Sequence, residues 1–91
     1  MGGPRSVWEI DVPIRHRLDK SREGHHVFTG LAENASEAVA AALRAYEIAQ
    51  LHAMSGQPIP AGTSRGDWSA RGLRPDWKLQ WHRAKTKQID L

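Results

Sequence analysis

Asn34-Ala35-Ser36-Glu37-Ala38-Val39-Ala40-Ala41-Ala42-Leu43-Arg44-Ala45-Tyr46-Glu47-Ile48-Ala49-Gln50-Leu51-His52-Ala53-Met54-Ser55, followed directly by Gly56-Gln57-Pro58-Ile59-Pro60, decides the fold of this chain. Asn34 or Ser36 can accept a backbone N–H as N-cap, and Glu37 sits three residues after Asn34 as a capping-box partner. At about 100° per residue, Ala35, Val39, Ala42, Leu43, Tyr46, Ala49 and Ala53 form one stripe, the face expected to bury against a sheet. The alanines raise helix propensity and allow close approach to that support. Gly56 suits the position just past a helix end, and Pro58 and Pro60 forbid continuation. Ala41, Ala45 and Ile48, near His52, make a thin apolar patch on the opposite side, the candidate surface for a protein partner.

Outward from the helix the period drops to two. In residues 6–18, Trp8, Ile10, Val12, Ile14 and Leu18 fall on one face, interrupted by His16, while Glu9, Asp11, Pro13, Arg15 and Arg17 fall on the other. Pro13 cannot donate a ladder hydrogen bond, which predicts an edge strand or a bulge there. Lys20-Ser21-Arg22-Glu23-Gly24 reads as a polar turn. Residues 25–31 return with Val27, Thr29 and Leu31 on one side and His26, Phe28 and Gly30 on the other, so the two runs form a hairpin. Residues 56–76 are the least regular, with a short helical turn expected from Thr63 or Ser64 through Trp68 to Gly72. From Trp77 the odd positions are Trp77, Leu79, Trp81, Arg83, Lys85, Lys87 and Ile89, so the inward phase turns basic halfway. A strand leaving the core, or a bulge near Arg83, would produce that change.

The pattern predicts an α+β domain spanning residues 1–91: a small three-stranded antiparallel sheet packed on one long helix, in the order β-β-α-β, with a short helical turn before the last strand. Residues 1–5 and 88–91 are expected to be disordered. Ninety-one residues without cysteine must rely on one modest core, with neither disulfides nor thiolate metal sites. No apolar run approaches a membrane span or a secretory signal, so no membrane association and a cytoplasmic location are expected. Charge is uneven along the chain. Residues 1–33 and 34–73 each balance to zero, so the formal excess of +3 lies in residues 74–91. Arg74, Lys78, His82, Arg83, Lys85 and Lys87 are therefore the candidate nucleic-acid-binding residues. The competing reading is an edge strand on which lysines discourage sheet-to-sheet pairing.

Catalytic and metal chemistry find little support. Adjacent His25 and His26 point to opposite faces of a strand, no HxxxH spacing occurs, and His16 and His25 facing each other across the hairpin would make only a two-ligand site. Serines 21, 55 and 64 lie in turns without a nucleophile elbow, and no glycine-rich phosphate loop is present. No enzyme activity, metal or cofactor is expected. Trp8, Trp77 and Trp81 fall on apolar strand faces and are expected in the core. Trp68, near Arg65 and Arg71, is expected to be exposed or to cap the core edge. Aromatic rings interleaved with cations are also what a single-strand stacking platform requires.

Ser36, Glu37 and Ala38 at the helix start, with Gly56, Pro58, Ile59 and Pro60 at its exit, resemble the HicB-like antitoxin family over about residues 7–62. The resemblance implies a partial RNase H-like sheet-and-helix layout, a small toxin as protein partner and a separate element for operator DNA. Residues 68–87 show no helix-turn-helix or ribbon-helix-helix pattern. Two functions are thus expected: a small nucleic-acid-binding or antitoxin-like regulator using the basic C-terminal strand, or a protein–protein module, as a homodimer or complex subunit.

Overall fold

The computed structural model describes residues 4–64 and 66–89. Among these residues four strands and one helix occur in the order β1 (Ser6–His16), β2 (Glu23–Ala32), α1 (Ala35–Met54), β3 (Trp77–Leu79) and β4 (Lys85–Ile89), with a 3-10 turn, Trp81–Arg83, between the last two. This is the α+β, β-β-α-β arrangement read from the periodicity. The last run is divided, so the sheet has four strands rather than three. The helical turn sits at Trp81–Arg83, whereas residues 63–64 and 66–72 form bends, turns and irregular chain. Of the termini expected to be disordered, Gln88 and Ile89 belong to β4 and Arg5 stands 4.0 Å from Glu37. Residues 1–3 and 90–91, and Arg65, lie outside the described residues.

β1 is the central strand, not an edge. It pairs antiparallel with β2 along its length, and with β3 and β4 in succession on its other side. Pro13 is tolerated there because its carbonyl, and hence its missing donor, faces the break between β3 and β4, where Gln80 N donates to Pro13 O at 2.9 Å. The 3-10 turn takes up an odd number of residues, and this reverses the side-chain phase. Leu79 opposes Ile14 on the helix-covered face, whereas Lys85 and Lys87 oppose Asp11 and Glu9 on the uncovered one. The inward phase turned basic in the sequence because, past the turn, those positions are no longer inward.

Helix α1 begins where Asn34 Oδ1 accepts Glu37 N–H at 2.8 Å. It ends with Gly56 at φ 71°, Gly56 N–H donating to Ala53 O and Gln57 N–H to His52 O. Its buried residues are Ala38, Ala42, Ala45 and Ala49, with Val39 and Tyr46 packed against the core. This stripe is rotated from the predicted one because the linker is itself part of the core. Ile59, Trp68, Ala70 and Leu73 pack down beside the helix. Ala45 is consequently 9% exposed, which removes it from the proposed partner patch.

Ile10, Val12 and Phe28 are the largest fully buried side chains. Phe28 stacks on Trp81 with 5.4 Å between ring centres, and the His26 ring meets Phe28 edge-on at 4.6 Å. Trp8 and Trp77, also half-buried, pack against the same core as expected, and Trp68 caps its edge. Burial, reinforced by the Arg74 charge, holds the His26 imidazole below its ordinary value of 6.5. The folded protein then binds fewer protons than the unfolded chain just below pH 6.5. Stability is full above that pH and falls as the pH drops towards the folded-state value, by at most about 1.4 kcal/mol per pH unit from this group. Urea midpoints measured between pH 7.5 and 5 are expected to show this decline, with His26→Phe flattening it.

Candidate functional site

All six residues of the expected basic stripe are exposed, but the fold distributes them among different surroundings. Lys85 stands directly across from Asp11 and Lys87 from Glu9, so opposite charges face each other at the β4 end. Arg83 Nη1 donates to Gln80 Oε1 at 3.0 Å. Arg74 lies against Trp77, its guanidinium carbon 5.7 Å from the ring centre, with Arg22 at 5.3 Å from the same ring. Lys78 and His82 belong to a different cluster.

That cluster lies where the β1–β2 turn folds against the chain around residues 75–82. Arg17 N–H donates to Asp76 O at 2.8 Å, and Arg17 Nε to Pro75 O at 3.2 Å. His16 Nδ1 accepts the backbone N–H groups of Leu18 and Asp19 at 3.2 and 3.1 Å, which bends the chain out of β1 and leaves Leu18 91% exposed. A concavity of about 340 Å³ results, lined by Arg15, His16, Arg17, Lys20, Lys78 and His82, with Leu79 and Gln80. Among the described residues no carboxylate lines it. Arg15 is steadied by Glu23, with Nη2 donating to Oε1 at 2.6 Å. Asp19, close by in sequence, is kept ionised by hydrogen bonds from the Ser21 hydroxyl and backbone N–H, which lower its pKa.

Such a site offers ammonium, guanidinium and imidazole donors to anionic groups, the chemistry of phosphate recognition. Arg15, Arg17 and Lys20 are hidden in a running charge count because the acidic residues of 1–33 cancel them, and His16, neutral in that count, is considered only as a metal ligand. The signal present was local: Arg15-His16-Arg17, then Lys20 and Arg22, straddle one hairpin turn.

The remaining candidates resolve differently. His16 lies on the helix side of β1, while His25 lies on the uncovered face with Nδ1 2.8 Å from Asp11 Oδ1, so the two do not meet across the hairpin. Among the described residues no group of three or more histidines and carboxylates is placed to hold a metal ion. Ser21 and Ser64 lock their own turns, Ser21 Oγ donating to Asp19 and Ser64 Oγ accepting from Gly66 N–H. Of the partner patch, Ala41 is half-buried, Ala45 buried and Ile48 44% exposed. Leu51 and Met54, at 63% and 84%, extend the apolar side of the helix from Ile48 towards its end. No protein-family profile, no curated protein and no solved structure matches this chain.

Proposed function

We propose that the protein is a small non-catalytic nucleic-acid-binding regulator that grips phosphate in the concavity at the hairpin end. The observation that carries this reading is the lining itself: Arg15, Arg17, Lys20 and Lys78 converge with two imidazoles, and among the described residues no acidic side chain joins them. Each phosphate neutralised there releases condensed counterions, which supplies affinity without reading base identity. The regulatory, antitoxin-like role and the cytoplasmic location belong to the same proposal. In support, the sheet leads into the helix and the chain leaves through Gly56–Pro60, as the HicB-like resemblance implies. No helix among the described residues is long and apolar enough to cross a membrane.

With about three or four phosphate contacts on a single strand, raising salt from about 50 to 200 mM is expected to weaken binding roughly 20- to 50-fold. Fluorescence anisotropy with a labelled oligonucleotide checks this, and absence of binding at the lower salt refutes it. A second reading, a protein-interaction module acting as a homodimer or complex subunit, is favoured by the exposed Ile48, Leu51 and Met54. Self-association in sedimentation, without oligonucleotide binding, is its mark.

A further inference from the structure

Beside the cationic concavity lies a second, smaller one of about 140 Å³, and Arg17 lines both. Its other walls come from two elements. Tyr46, Gln50 and Met54 stand on the last turns of α1, and Leu73, Arg74 and Trp77 on the segment entering β3. Tyr46 and Trp77 are each only half-buried. The Tyr46 hydroxyl accepts from Gln50 Nε2 at 2.7 Å, which places an amide and a phenol on the helix side of the slot. Arg74 lies against the Trp77 ring, so the opposite wall combines an indole with a guanidinium plane.

We infer that this second concavity receives an unpaired nucleobase of a single strand whose phosphate occupies the first, so that the preferred partner is single-stranded rather than duplex nucleic acid. The inference rests on the phosphate-binding reading above and deepens it. A sugar–phosphate chain places a base beside each phosphate, and here an aromatic slot adjoins a phosphate-type site across one arginine. Trp, Tyr and guanidinium surfaces stack on bases of any identity, while Gln50 and the Tyr46 hydroxyl supply polar contacts at the base edge. A duplex keeps its bases stacked inside and cannot offer one to a slot of this size without paying the cost of extrusion. The mixed character of the slot is the complement of a nucleotide, whose base is apolar on its faces and whose backbone is anionic.

The test compares four probes on the whole chain by anisotropy at about 100 mM salt, a level at which phosphate contacts still hold. They are a single-stranded DNA of roughly 12 nucleotides, an abasic strand of equal length, the corresponding blunt duplex and inorganic polyphosphate. The base-bearing strand is expected to bind about tenfold more tightly than the abasic one, the increment expected from stacking about one base. Trp77→Leu is expected to bring that ratio close to one while changing abasic affinity by less than about twofold. Because Trp77 also packs on the core, Ala53→Leu provides the same test from the exposed last turn of the helix, where it narrows the slot without altering charge. Equal affinity for the base-bearing and abasic strands, or tighter binding of the duplex, overturns the inference and leaves the phosphate reading standing. Absence of binding to all four probes overturns both.

Discussion

Replacing Gly30 by alanine is expected to destabilise the protein by about 3 kcal/mol, the combined effect of overpacking and of losing a large ring from the core edge. Gly30 pairs with Trp8 near the open end of the hairpin, on the helix-covered face. The Trp68 indole lies on it so closely that a methyl group there would overlap three ring atoms. The ring cannot slide aside freely, because its Nε1–H donates to Leu31 O at 3.0 Å and Gly66 O accepts Leu31 N–H at 3.1 Å. Alanine would therefore detach both the ring and the loop that carries it from the edge of β2. In a domain of this size the loss corresponds to a fall in melting temperature of roughly 12–24 °C. The double-mutant cycle decides the cause. In a Trp68→Ala background Gly30→Ala is expected to cost under about 1 kcal/mol, since no ring remains to collide with. An equal loss in both backgrounds would show that strand geometry, not the Trp68 contact, requires the glycine.

The second large effect concerns binding. Arg17→Gln, Lys20→Gln and Lys78→Gln together are expected to weaken single-strand affinity about 100-fold at about 100 mM salt and to lower the magnitude of the salt slope by about 2. These three side chains meet in the concavity although 58 residues separate Arg17 from the Pro75 carbonyl that anchors it. Lys85→Gln with Lys87→Gln, which removes two charges from the net-basic last strand, is expected to change affinity by less than about threefold. There each lysine already faces a carboxylate, Asp11 or Glu9, across the ladder. If the Lys85 and Lys87 pair proved the more damaging, binding would run along β4 instead.

Much of the architecture was legible because it is written in short range. Asn34, Glu37 and Gly56 set the helix ends by local hydrogen bonds, and the alternation from Trp8 to Ile14 set the inward face of β1. The errors arose where distant residues intervene. Pro13 in β1 predicts an edge unless the neighbouring strand is known to break opposite it, and that break lies 68 residues on at Trp81. The helix stripe was rotated by Ile59, Trp68 and Ala70, residues of a stretch with no periodicity of its own. Gly30, a glycine within a strand, signals close approach by another group, but nothing local names Trp68 as that group. Only part of the candidate site was legible for the same reason: Lys78 and His82 belong to the net-basic last segment, whereas the cations at the hairpin end were hidden among compensating acids.

The most direct measurement is a titration of isotope-labelled protein with a single-stranded oligonucleotide of roughly 12 nucleotides, following backbone amide shifts by NMR. The account predicts that the largest changes fall at residues 15–20 and 78–82, with smaller ones at Tyr46 and Trp77 and little movement at Lys85 and Lys87. Changes concentrated in β4, or along Ile48, Leu51 and Met54 with residues 15–20 unmoved, would contradict it.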